Sequence, residues 1–109
     1  MQDHVADVKK YAVQPVNEAA VAGLLKTYRL VLSKSDTRYV ACSDPAERER
    51  VRNNFLKKKL GLTGDDLDAA VEATCTAMKA DRTKSRLTFY YLLAERYGKL
   101  DVFGAKKAA

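Results

Sequence analysis

Arg82, Lys84 and Arg86 stand at alternate positions and run directly into Leu87, Phe89, Tyr90, Tyr91, Leu92 and Leu93. Cations interleaved with aromatic rings are how single-stranded nucleic acids are commonly held, with charge for the phosphates and ring faces for the bases. If a helix starts here, its first turn carries the wrong sign of charge for its own dipole, and its free amides add to the pull on an anion. Lys57, Lys58 and Lys59 form a second basic group that could reach the same polyanion. A plainer reading competes with this one: the rings are core, the cations are rim, and carboxylates elsewhere in the fold answer the charge.

The charge distribution favours the plainer reading. The chain carries a net charge of +6, but residues 1–45 contribute +1, residues 46–64 +4, residues 65–81 −4 and residues 82–109 +5. An acidic segment immediately precedes the last basic one, so Asp68, Glu72 or Asp81 is the expected partner of Lys84 and Arg86. On this view the basic turn mainly fits helices together. Tyr90 and Tyr91 point about 100° apart on a helix, so at least one of them is expected at the surface. With Arg96 and Tyr97 they form the candidate interface.

Other residues that could do chemistry lack partners in the sequence. His4 is the lone histidine, and its place near a terminus suits a surface side chain better than a general base. Cys42 sits before a helix cap with no evident base, and Cys75 falls on an apolar stripe, where a cysteine packs as a small hydrophobe. The two cysteines lie far apart and neither belongs to a CxxC pair, so two lone thiols in a reducing cytoplasm are expected. One histidine and two distant cysteines do not make a zinc site. Asp65, Asp66 and Asp68 lack the alternating ligands of a calcium loop and read as charges favourable to a helix N-terminus. The segment LGLTGDD lacks the GK[ST] ending of a phosphate loop. No enzyme activity, cofactor or metal is therefore expected.

These residues have to be placed by helices. Val5, Val8 and Ala12 give residues 4–12 a thin apolar stripe, ended by Gln14-Pro15. Asn17 is a fitting N-cap, and Val21, Leu24, Leu25, Tyr28 and Leu32 follow at helical spacing. Residues 33–43 have no clean period and read as a connection, with one helical turn near residues 37–41. Asp44-Pro45 is a firm helix start, and Gly61 supplies the stop, with Leu62 folding back. Thr63-Gly64-Asp65 opens a further helix, with Leu67, Val71, Thr74, Cys75 and Met78 on one face. The last helix, about residues 83–97, is apolar nearly all round and is expected at the centre. No β-branched run or Asn-Gly hairpin signal predicts a strand. The expected fold is all-α, one domain over residues 1–109, an array of about five helices with a frayed tail at 105–109. No apolar run reaches the roughly 18 residues of a membrane span, and the N-terminus does not read as a signal peptide.

The blocks NNFLKKKLGL (53–62), LDAAVEA (67–73) and RTKSRLTFYYLLAERYGKL (82–100) resemble a small family of uncharacterised bacterial proteins, a domain of unknown function. The resemblance runs from about Ala41 to Phe103. It implies compact, all-helical cytosolic proteins and brings no catalytic residues with it. Residues and resemblance together lead to a small cytoplasmic module that works by contacting a protein partner or a second copy of itself. A sequence-indifferent nucleic-acid binder using Lys57–Lys59, Arg82, Lys84 and Arg86 is the alternative, and an anion sensor at the start of the last helix the third reading. No membrane partner is expected.

Overall fold

Nine consecutive side chains, Arg86 to Ala94, are all buried in the helix Arg86–Arg96, and the rest of the molecule is arranged around them. A computed structural model describes residues 4–12, 16–34, 39–64, 66–79, 84–100 and 103; the side chains of His4 and Val5 lie outside that description, as do Asp65, Asp81, Arg82 and the tail 105–109. The described elements, in chain order, are α1 (His4–Lys9), α2 (Glu18–Thr27), α3 (Arg29–Ser33), β1 (Tyr39–Val40), α4 (Pro45–Arg50), α5 (Leu67–Ala77), β2 (Lys84–Ser85) and α6 (Arg86–Arg96). α4 runs on directly into a π-helical stretch, Val51–Lys59. The fold is mostly helical, as expected. α1, α2 and α5 all pack on α6.

The helix starts follow local chemistry. The Asn17 side chain accepts the Ala20 amide at 3.1 Å, and the Asp44 side chain accepts the Ala46 amide at 3.0 Å with Pro45 beside it. Gly61 ends the π-helical stretch at φ +67°, a backbone conformation that side chains resist, and the Leu62 amide then bonds back to the Leu56 carbonyl at 2.9 Å. α6 starts later than expected. Ser85 is its cap, and Lys84 lies before it in β2, which pairs antiparallel with β1 through Tyr39↔Ser85 and Val40↔Lys84. A helical turn near 37–41 is thus replaced at Tyr39–Val40 by a strand. Two residues a side are too few to leave a periodic signal in sequence.

Three further departures matter for the site. First, the expected single helix after Asn17 breaks at Tyr28, so α2 and α3 form an elbow. The Tyr28 ring is drawn inward there, 5.0 Å from the Tyr90 ring in an edge-on contact. Second, buried Val51, Phe55, Leu56 and Leu60 recur every four to five residues. That period is too long for an α-helix and suits i→i+5 hydrogen bonding, seen in the Leu60 amide bonding to Phe55 at 2.9 Å. Third, Cys42 and Cys75 are joined by a disulfide, with Cα atoms 5.9 Å apart. The expectation of two lone thiols fails because folding brings together cysteines 33 positions apart, which spacing in sequence does not reveal. With it goes the cysteine-based argument for a reducing compartment.

Candidate functional site

The cationic first turn of α6 faces inward. Arg86 is 8% exposed, and its guanidinium is enclosed by the protein's own groups. Nη2 donates to the Glu47 carboxylate and, more weakly, to the Tyr39 carbonyl at 3.4 Å. Nη1 donates to the Tyr90 hydroxyl, one turn along α6, at 2.9 Å. The other Glu47 oxygen accepts from Arg50 at 2.8 Å. Glu47 lies in the first turn of α4, where a negative charge suits the dipole, and is itself 7% exposed. Burial alone would raise its pKa, but hydrogen bonds and charge from Arg50 and Arg86 outweigh that and hold the carboxyl below its ordinary value.

The turn therefore does hold an anion, and the anion is Glu47. For Arg86 the partner expected from residues 65–81 comes instead from α4, and Asp81 lies outside the described residues. Asp68 is engaged elsewhere, its two carboxylate oxygens sharing Nη1 of Arg52 at 2.8 and 3.0 Å, and Glu72 is exposed. Arg86 is thus not available to an external phosphate or nucleic acid. Lys84 is half-buried in β2, and Arg82 lies outside the described residues. Lys57, Lys58 and Lys59 are exposed at the end of the π-helical stretch, where cations suit the dipole, and Lys59 Nζ lies 5.6 Å from the centre of the Phe103 ring.

The tyrosines expected at an interface are also turned inward. Tyr90 stacks on Phe55 at 4.0 Å between ring centres, and Phe55 lies parallel to Phe103 at 5.8 Å. Tyr91 is fully buried, and its hydroxyl accepts the Asn17 amide at 2.8 Å, so it helps cap α2. Neither residue reaches the surface. Helices on two sides of α6 cover directions 100° apart. Tyr97 is half-buried and donates to Asp66 at 2.9 Å, tying the end of α6 to the start of α5. Arg96 is exposed, on the rim of a groove of about 280 Å³ whose wall includes Tyr11, Ala73, Ala77 and Leu92. Burial raises the pKa of Tyr28 far above the ordinary tyrosine value, with Tyr90 adding to the rise and Arg86 opposing it.

A surface the sequence did not single out lies at the elbow. Leu30 is 73% exposed and Leu25 36%, the large apolar side chains most open to solvent among the described residues. Lys26, Arg29 and Leu30 line a hollow of about 520 Å³ together with Thr27, Tyr28 and Val31. The elbow and Lys59, at the end of the π-helical stretch, both come near Phe103. Phe103 bridges the two, its ring 6.2 Å from Tyr28 and close to Lys59, its carbonyl against Gly23 of α2. Between Gly23 and Lys34, and again between Val51 and Leu60, there is no acidic residue. The helix break at Tyr28 is the signal that would have been needed. Read as one uninterrupted helix, α2–α3 puts Leu30 on an ordinary polar face, where a single exposed leucine needs no explanation.

Among the described residues no group of three or more His, Cys, Asp or Glu could hold a metal ion, and no helix is long and apolar enough to cross a membrane. Compared with proteins of curated function, the chain matches none. The chain belongs to the DUF2853 family, proteins of unknown function, whose model matches residues 3–101, well beyond the expected stretch from Ala41.

Proposed function

We propose that this family member is a non-enzymatic interaction module that engages another protein through the α2–α3 elbow. The observation that carries the reading is Leu30, 73% exposed and flanked by Lys26 and Arg29 over an open hollow. An apolar anchor with a basic rim matches a partner surface that offers an apolar contact among carboxylates. The reading moves the working surface away from α6, whose tyrosines and Arg86 are committed to internal bonds. A cytoplasmic location and bacterial membership belong to the same proposal. Recovery of binding proteins with the wild-type chain and with the Arg29→Glu, Leu30→Asp double variant tests it. Loss of one reproducible partner from the variant, with unchanged melting, supports the elbow. Identical recovery from both chains overturns it.

The alternative, a sequence-indifferent nucleic-acid binder, is favoured by one observation: Lys57–Lys59 are exposed, and Lys59 and the basic elbow both come near Phe103. It predicts anisotropy of labelled single-stranded DNA or RNA that rises with protein in dilute salt and falls steeply as salt is added. No rise in dilute salt removes it.

A further inference from the structure

We infer that the Cys42–Cys75 pair is a reversible thiol–disulfide site, exchanging with dithiol reductants and disulfide oxidants, that clamps the segment caging Arg86. Three observations support this. Both cysteines are half-buried rather than sealed in the core, so a small thiol can approach the bond. The core does not need the bond to exist, because a chain of 109 residues with this many fully buried apolar side chains lies above the size where disulfides are required. Finally, Cys42 sits between the two acceptors of the Arg86 Nη2 group, three residues after Tyr39 and five before Glu47. The disulfide fixes that segment to α5, which itself packs on α4 and α6.

Reduction proceeds by attack of a dithiol's thiolate on one sulfur, with the other leaving as a thiolate and taking up a proton. The reagent's second thiolate then attacks its own sulfur in the mixed disulfide, and the remaining protein cysteine leaves as a thiolate and is protonated. The S–S bond is broken, two protein thiols are formed, and the reductant leaves as its own disulfide; a disulfide oxidant reverses each step. The reduced state keeps α6 and its apolar contacts but frees the β1–α4 connection from α5. Tyr39 and Glu47 then keep their bonds to Arg86, the β1–β2 pairing and the packing of α4, without the covalent tie. The Arg52–Asp68 pair, at 2.8 Å, still ties the π-helical stretch to α5.

The test uses the full chain, purified in air. Alkylation without denaturant is expected to find no reactive thiol before dithiothreitol, two after it, and none again after glutathione disulfide. Amide exchange is expected to quicken roughly tenfold or more over residues 39–50 on reduction, with the centre of α6 unchanged. The Cys42→Ser, Cys75→Ser double variant should show the reduced pattern under both conditions. Free thiols in the air-purified protein would overturn the proposal. So would a bond that dithiothreitol opens only in denaturant. Global loss of protection on reduction would make the bond a structural staple and overturn the local clamp, as would an exchange pattern the same in both states.

Discussion

The first turn of α6 and the α2–α3 elbow are the same kind of sequence: cations within a few residues of tyrosine and leucine. In the fold they have opposite fates. Arg86 is buried and answered by Glu47, which comes from 39 positions earlier, while Lys26 and Arg29 stand at the surface around an exposed leucine. What separates them is a carboxylate delivered by another helix. Moving a guanidinium out of water is costly unless a counter-charge and further hydrogen bonds meet it. α4 supplies the counter-charge, the Tyr39 carbonyl and the Tyr90 hydroxyl supply the further bonds, and the described structure gives the elbow neither. Local composition therefore suggests a polyanion site at both places, and topology assigns the first to the interior.

The largest expected effect comes from breaking the interior half of this contrast. Glu47→Ala strips Arg86 of its carboxylate in a buried setting and should destabilise the fold by about 3–5 kcal/mol in urea or thermal unfolding. Adding Arg86→Met to that variant should recover a good part of the loss, because the buried charge is then gone; no recovery would mean that the pair is not the unit described. The same carboxylate sets the acid limb. Its folded pKa is depressed, so its contribution is present above the ordinary carboxylate value near 4.3 and is lost as pH falls through the lower folded value. Melting temperature against pH should drop below about pH 4.5 in the wild type and flatten there in Glu47→Gln.

Phe55→Ala comes next. It removes the ring between Tyr90 and Phe103 and should cost about 3–4 kcal/mol while leaving the elbow without its floor. Tyr91→Phe is smaller, about 1–2 kcal/mol, because the Asn17 amide loses a part-buried acceptor and no cavity opens. Smallest of all is the elbow itself. Leu30→Asp should leave stability within about 0.5 kcal/mol, since the side chain is mostly in water. A large loss of stability there would show the leucine to be packed and erase the contrast with α6.

Much of the frame was legible because it is local. The caps at Asn17 and Asp44-Pro45, the stop at Gly61 and the apolar run in α6 each depend on side chains within one or two turns. The disulfide, the two-residue strand pairing and the Glu47–Arg86 pair join positions more than thirty residues apart, and no local pattern encodes them. The burial of Tyr90 and Tyr91 was readable only as an option, because an amphipathic argument sees one covering layer and α6 has several. The π-helical stretch is an intermediate case. Its signal, Val51, Phe55, Leu56 and Leu60, lay in the sequence but is invisible to a search tuned to a period of 3.6.

That stretch also sets a limit on the chain's history that no substitution would reveal. Along Val51–Lys59 the position of each side chain depends on residue count as much as on residue type. Deleting the exposed Asn54 changes no core side chain, yet it turns everything downstream by one residue's rotation about the helix axis. Phe55 would leave its place beside Tyr90 and a lysine would face the core. Between Pro45 and Gly61, then, insertions and deletions should be purged where exchanges of one amino acid for another are tolerated.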